Sequence, residues 1–405
     1  MTGGEPPPAR RRRVLISAYH CAPGHGPEAG AGWAFARAAA VDHDVWVITR
    51  PVYAASLEAA LADDPETAAH LTVRYHDLPA RVLRHKKRGF DLYWYYSWWQ
   101  RELASVAREL HVMHRFDVAH HVTFANDWLP CGVAALKDVP LVWGPVGGAT
   151  AAPWRLARWL GPRAVATEVV RTTASEAFRR AFTDRVARRA SLVVAQNGDV
   201  ARRFRRARRT VVEPNAAFEG TEYAGGVAAE REPGLAVFVG RLIPWKGARL
   251  AIATLAEPDL HDWRLEIYGT GPLEPSLRAY AGSLGVADRV TFHGHRPRAE
   301  VLEAYRRAQV MLFPSMHDSA GWAVGEASSA GCPVVCLDIG GPPVLAGLNG
   351  HVVTPSEDVV PALARAVLDA AASGGEPHRR WASDRLPALV SGWYADALAN
   401  PCPGR

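Results

Sequence analysis

The sequence predicts an α/β fold built from doubly wound parallel sheets. Two observations carry this reading. Residues 13–48 run strand, glycine-rich loop, helix, strand, the opening of a doubly wound sheet. Strand and helix then alternate throughout the second half, with strands near 235, 264, 289, 309, 333 and 351 and helices near 247, 273, 299, 322 and 357. At 405 residues and 48% hydrophobic, the chain is long enough for two such domains.

In order, residues 1–12 read as a Pro- and Arg-rich lead-in expected to be disordered, too weakly apolar for a signal peptide. Arg13 to Ala18 is the first strand. Tyr19 to Gly32 reads as a long loop, followed by a helix from Trp33 to Ala40 and a strand at Val45 to Ile48. The loop approximates a dinucleotide fingerprint. The second strand, however, ends Thr49-Arg50, without the acid that holds a nicotinamide cofactor's ribose. The run from Phe90 to Gln100 is dense in aromatic residues and leads into a helix over Arg101 to Leu110. Helix packing is one reading of it; sugar stacking and peripheral membrane contact are others.

Asp117 to Phe124 reads as a strand and its loop, with adjacent His120 and His121. Pro140 to Gly148 is a strand ending in a glycine turn, and Glu168 to Arg189 reads as an amphipathic helix. Strands follow at Ser191 to Val194 and Thr210 to Val212. We divide the chain into a first domain over 13–215, a linker over 216–233 and a second domain over 234–378. The last segment, 379–405, contains a closing helix from Trp381 to Leu398.

Two stretches of the second domain carry chemistry. Val237 to Val239 is a strand that delivers Gly240-Arg241 and then Lys246-Gly247 toward a helix start. The guanidinium offers a planar fork and the lysine a point charge, a pair suited to phosphate oxygens. Val310 to Phe313 is a strand feeding Asp318-Ser319-Ala320-Gly321, then a helix from about Trp322 to Ala330 that Gly331 and Pro333 end. Helix N-terminal amides attract anions, and Glu326 lies one turn inside. Read locally, Asp318 is equally a loop cap and Glu326 a solvated helix residue.

These stretches resemble the nucleotide-binding half of the retaining glycosyltransferases of GT-B type, family 4. The matching residues are Arg241, Lys246, Glu326-Ala327 and Gly331-x-Pro333-Val334-Val335. The chain departs from the family pattern at Asp318, where Glu is usual, and at Ala320-Gly321, where Phe-Gly is usual. Gly340 to Val344 also lacks a Glu that family members often carry. The resemblance implies two Rossmann-like domains facing across a cleft, with the last helix crossing back to the first. It implies sugar transfer from a nucleotide diphosphate donor, UDP-sugar favoured over GDP-sugar, to a hydroxyl acceptor such as a saccharide, natural product or lipid-linked glycan. It assigns reaction-centre roles to Arg241, Lys246, Asp318, Glu326 and His121, chosen over His120. It assigns donor contacts to Gly30, Gly32, Gly240, Gly269, Gly271, His295, Arg296, Ala320, Gly321 and Trp322. No cofactor and no metal are expected, since two cations already answer the diphosphate.

Two alternatives remain. One is a nicotinamide-dependent sugar-nucleotide dehydrogenase or epimerase, against which stand Thr49-Arg50 and the absence of any Tyr-x-x-x-Lys. The other is a sugar-nucleotide-binding subunit without turnover. The net charge of +6 is spread among scattered arginines, so nucleic acid is not an expected partner. Five cysteines without metal spacing fit a reducing, cytoplasmic setting.

Overall fold

The structure, a computed structural model, describes residues 10–85, 91–218 and 231–401. It contains two parallel sheets, each flanked by helices. The first has seven strands in the order β3-β2-β1-β4-β5-β6-β7, and the second six in the order β10-β9-β8-β11-β12-β13. In the first sheet, β1 (Arg12–Ala18) pairs with β2 (His43–Thr49) on one side and β4 (Val118–Thr123) on the other. In the second, β8 (Glu232–Val239) lies between β9 (Arg264–Tyr268) and β11 (Ala308–Phe313). Each sheet therefore reverses direction beside its first strand. That places a crevice at the carboxyl ends of β1/β4 and of β8/β11. The remaining strands are β3 (Leu71–Tyr75), β5 (Leu141–Val146), β6 (Leu192–Ala195), β7 (Thr210–Val212), β10 (Val290–Gly294), β12 (Val334–Leu337) and β13 (Gly350–Val353).

The central strands are apolar on both faces because helices cover both. The helices that matter here are α1 (Pro27–Asp42), α2 (Asp91–His114), α3 (Pro162–Phe178), α4 (Ala248–Leu255), α5 (Glu274–Ser283), α6 (Arg298–Arg307), α7 (Trp322–Ser329), α8 (Val359–Ser373) and α9 (Leu386–Ala399). Helix α9 leaves the second half and buries Leu386, Val390, Trp393, Tyr394 and Ala397 in the first half's core, as the resemblance implied. Its Trp393 stacks on Phe35 of α1 at 5.9 Å. Traffic also runs the other way. Leu156, Leu160 and Ala164 belong to the second half's core, so the segment leading into α3 is an apolar bridge between the halves.

The structure moves several boundaries. Helix α1 begins at Pro27, not Trp33, so Gly30 and Gly32 lie inside it. The amide of Gly30 donates to Gly26 O at 2.9 Å, completing the first turn. Proline at the first helical position and alanines on both sides of the glycines favour the earlier start. Helix α2 takes in the aromatic run from Asp91 onward and extends to His114. The segment read as one helix over 168–189 starts at Pro162 and is broken by a π-helical turn, Arg179–Thr183. The closing helix begins at Leu386, because Trp381 instead packs in the second core. Most of the span read as a linker lies outside the described residues, although β8 already begins at Glu232.

The histidine pair bears on the expected reaction centre. Both lie within β4, and successive side chains on a strand point to opposite faces. His120 faces α9, with Nδ1 2.8 Å from Tyr394 Oη and Nε2 2.8 Å from Gly144 O. His121 faces α2, with Nε2 3.0 Å from Tyr96 Oη and Nδ1 3.1 Å from Ser17 Oγ. His121 is 1% exposed with both ring nitrogens bonded, so it offers nothing to a ligand in the cleft. Desolvation lowers the pKa of His120 to about 4. Desolvation, then the neighbouring His120, lowers that of His121 to about 3.

Both rings are neutral in the fold at pH 7, whereas the unfolded chain protonates them near pH 6.5. They therefore cost nothing above pH 7 and destabilise as pH falls from 6.5 toward 4, by up to about 1.4 kcal/mol per pH unit each. Burial raises the pKa of Glu28 and Asp127, and these groups act in the opposite direction. We therefore expect urea unfolding between pH 7 and 5 to give a flatter stability profile for His120→Gln than for the parent. Parallel profiles would show that His120 is charged in the fold.

Candidate functional site

The C-terminal ends of β8 and β11 bring the two sequence stretches together at the reversal point of the second sheet. Gly240 follows β8, its amide bonded to Tyr268 O at 2.9 Å, and Leu242 N donates to Thr270 O at 2.9 Å. This backbone pairing is so close that a Cβ on Gly269 would lie 2.0 Å from Gly240 O, and one on Gly271 2.4 Å from Leu242 O. The expected Gly240, Gly269 and Gly271 are thus assembled in one place, and two of them are glycine because backbone occupies the side-chain space. Arg241 emerges from this ledge exposed, and among the described residues no carboxylate pairs with it.

Lys246 ends a short 3-10 turn, Pro244–Lys246, and its Nζ lies over the Phe313 ring, 5.6 Å from the centroid. It forms an ion pair with Asp318 Oδ2, both side chains mostly shielded from solvent. The other oxygen, Asp318 Oδ1, accepts from Gly321 N at 3.1 Å. Asp318 is thus both the cap of the loop, one of the sequence alternatives, and the counter-charge of Lys246. The expectation that the Gly321 amide faces a phosphate meets this bond: the amide is already engaged. Gly321 has φ 80° and starts α7, and Val324 N donates back to Gly321 O at 2.8 Å. The first-turn amides of Trp322 and Ala323 are the ones that helix geometry leaves for an anion. The loop is clamped from below by Gly341, whose amide donates to Asp318 O at 2.9 Å; a Cβ there would lie 2.3 Å from Ala320 O.

Glu326 sits on α7 with Oε1 3.2 Å from Arg298 Nη2 of α6, its own side chain largely covered and the arginine's half exposed. His295 and Arg296 are exposed on the turn between β10 and α6, where Arg296 Nε donates to His293 O at 3.1 Å.

The first half reaches directly onto this loop. Gly148 N, after β5, donates to Ser319 Oγ at 3.1 Å, and Asn197 Nδ2, after β6, donates to Ser319 O at 2.8 Å. Gly340 N donates to Asp199 Oδ2 at 3.0 Å. On one flank, buried Glu168 of α3 accepts from Ala152 N at 3.0 Å and from Trp245 Nε1 at 3.0 Å. Arg171 beside it faces the ring of His317 and can donate to its one unprotonated nitrogen; desolvation and the Arg171 charge lower the pKa of His317 to about 4. On the other flank, Trp322 Nε1 donates to Asn215 Oδ1 at 3.0 Å, and Asn215 Nδ2 to Glu28 Oε2 at 3.3 Å. Glu28 Oε1 in turn accepts from Phe124 N at 2.5 Å, where φ is 54°.

Sequence reasoning missed Glu28, Glu168 and His317. Glu28 carried a signal, an acid on the first turn of a helix that follows a glycine loop. Glu168 and His317 carried none, since only the packing of the two halves makes them neighbours. The assembled site holds an ion pair, an additional exposed cation, free helix N-terminal amides and a shielded carboxylate. It can receive an anion of high charge attached to a hydroxyl-bearing group.

Comparison with known proteins places this geometry. Residues 233–373 match the family model described as glycosyl transferases group 1. The D-inositol 3-phosphate glycosyltransferase of Corynebacterium glutamicum is 31% identical over 183 residues, covering 40% of this chain and 43% of that protein. The matched stretch thus spans less than half the length of that relative. The structure of Anabaena Alr3699/HepE in complex with UDP superposes with a TM-score of 0.54 at 16% identity, over 95% of this chain and 99% of that one. The sucrose-phosphate synthase of Thermosynechococcus elongatus superposes with a TM-score of 0.56 at 18% identity, over 96% and 97%. The chain has the GT-B fold, and the stretch that matches the glycosyl transferases group 1 model, 233–373, is its second half.

Proposed function

We propose that the chain transfers a sugar from a nucleoside diphosphate donor to a hydroxyl acceptor, with retention at the anomeric carbon. The observation that carries this reading is the meeting of Arg241, the Lys246–Asp318 pair and the N-terminus of α7 at the reversal point of the second sheet. UDP-sugar is the favoured donor and GDP-sugar the second; the UDP complex of the Anabaena protein supports that order. In this reading Arg241 and Lys246 meet the diphosphate as the bond to the sugar breaks and charge grows on the leaving oxygen. The amides of Trp322 and Ala323 face the phosphate next to the sugar, Asp318 the sugar hydroxyls, and Glu326 the ribose. His295 and Arg296 lie by the base. The acceptor enters from the loops after β4 and β5. With both of its ring nitrogens engaged, His121 does not take the acceptor's proton. The departing diphosphate oxygen, on the face where the acceptor arrives, is the base this geometry leaves.

The test is turnover on a panel of UDP- and GDP-sugars with saccharide and lipid-linked acceptors, run with and without EDTA. Product should form under chelation, because protein cations answer the diphosphate. Turnover that vanishes with EDTA and returns with Mg²⁺ would contradict this assignment.

The two acids separate in calorimetry with nucleoside diphosphate alone. Ribose is present in every form of the donor. Glu326→Ala should therefore weaken the free diphosphate about 10- to 150-fold, the range of a charge-assisted hydrogen bond. Asp318→Asn should not weaken that affinity, since it releases Lys246 toward the diphosphate, yet should impair transfer. Equal losses in the two variants would refute the division between them.

A further inference from the structure

Helix α3 reaches both members of the Lys246–Asp318 pair through the residue that precedes each. Glu168 Oε2 accepts from Trp245 Nε1 at 3.0 Å, and Lys246 follows Trp245. One turn further along α3, Arg171 Nη1 and Nη2 lie 2.6 and 2.9 Å from the ring nitrogens of His317, and Asp318 follows His317. Glu168 Oε1 joins the two arms by accepting from Arg171 Nη2. Backbone already ties the two segments together, since Trp245 O accepts from Met316 N at 2.8 Å and from Ser315 Oγ at 3.1 Å.

The far end of α3 rests on the loops after β4 and β5. Arg179, in the π-helical turn that follows the helix, pairs with buried Asp127, and Thr183 Oγ1 donates to Asp127 O at 2.6 Å. The Asp127 amide in turn donates to Gly147 O at 3.0 Å. Glu168 itself takes a third donor from this side, Ala152 N at 3.0 Å. A contact between two halves needs no role beyond stability. What distinguishes this one is its register: each arm ends one residue ahead of a charge, so a shift of α3 passes directly to Lys246 and Asp318.

We propose that Glu168 is a positioning residue for the transfer step. Through Trp245 it holds Lys246 at the diphosphate, while Arg171 and His317 hold Asp318 from the same turn of α3. The inference rests on the reading of Lys246 as a diphosphate contact. A displacement of about 1 Å near the reacting atoms costs on the order of 10²-fold in rate, so a carboxylate remote from the donor can matter to turnover.

The test has two readouts, and only one needs turnover. The chain has four lysines, Lys86, Lys87, Lys137 and Lys246. In ¹³C-lysine-labelled protein, the Lys246 side-chain resonance is assigned by its loss in Lys246→Arg, and the Phe313 ring beneath it makes its shift sensitive to position. Trp245→Phe deletes the N–H and keeps an aromatic ring, whereas Glu168→Gln leaves one acceptor oxygen for three donors. Both variants should move the Lys246 resonance and leave the other three in place. Both should lower kcat at saturating substrates by about 10- to 100-fold. In a Lys246→Ala background, Trp245→Phe should cost less than ~2-fold more, because the group it places is gone. Urea denaturation confirms folding, and Trp245→Phe carries the test should Glu168→Gln not fold. A parent without turnover would contradict sugar transfer rather than this placement, which the resonance then decides alone. Three results would overturn the proposal: a Lys246 resonance unmoved in the variants, parental kcat in the variants, or an equal loss from Trp245→Phe with and without Lys246.

Discussion

An Arg241→Ala variant is expected to lose about 10²- to 10³-fold in kcat/KM, the scale for removing one charge donor from a developing oxyanion. The structure makes Arg241 the more exposed of the two cations expected at the diphosphate. Lys246 is partly neutralised by Asp318 before any donor arrives, whereas Arg241 stands exposed beside the Gly240 ledge. Its surface position also means that the fold should survive. Arg241→Lys separates charge from shape: it keeps the positive charge but loses the planar fork, and transfer should still fall by at least ~10-fold. Steady-state kinetics on both variants, with circular dichroism to confirm folding, decides the matter. An Arg241→Lys enzyme with parental kcat would place the phosphate site elsewhere.

Loss of Lys246 should be comparably severe, for two reasons that can be separated. Lys246→Ala removes a cation from the diphosphate and also strands the shielded Asp318 carboxylate. Breaking such a partly buried pair costs roughly 1–4 kcal/mol of stability, between the values for exposed and buried pairs. If Lys246 serves only to balance Asp318, adding Asp318→Asn to Lys246→Ala should restore stability and bring turnover up to that of Asp318→Asn alone. We expect it to restore stability and leave transfer about 10²- to 10³-fold below Asp318→Asn. Chemical denaturation and kcat on the two single variants and the double variant form the cycle. A double variant with the kcat of Asp318→Asn would reduce Lys246 to a structural counter-ion.

The second half was legible because each of its elements has its own local signature. β8 is an apolar run, Gly240 follows it, and α4 begins where a residue with φ of 81°, Gly247, turns the chain. All six strands and all five helices read from the alternation of that half are present. The short helix Pro342–Ala346 was not foreseen, since two prolines and a glycine pair read as a turn. The first half was harder to read. Gly30 and Gly32 suggested a loop, yet a helix with alanines around them runs straight through, and close packing explains one: a Cβ on Gly32 would lie 2.1 Å from His20 O. For His120 and His121 the local pattern did not separate strand from loop, and buried polar side chains need partners that no local pattern shows. Tyr394, contributed by the far end of the chain, is what makes one of them affordable. The contacts that hold the cleft are of this kind throughout. Glu168 to Trp245 and Asn215 to Trp322 join residues 77 and 107 positions apart, and no local pattern announces them.

The central claim is that a nucleoside diphosphate binds at the reversal point of the second sheet. A structure of the chain with bound UDP tests it most directly. The account predicts phosphate oxygens within hydrogen-bond distance of the Arg241 guanidinium and of the amides at the start of α7, with the ribose hydroxyls on Glu326. A nucleotide seated instead on the first sheet, in the loop between β1 and α1, would contradict it.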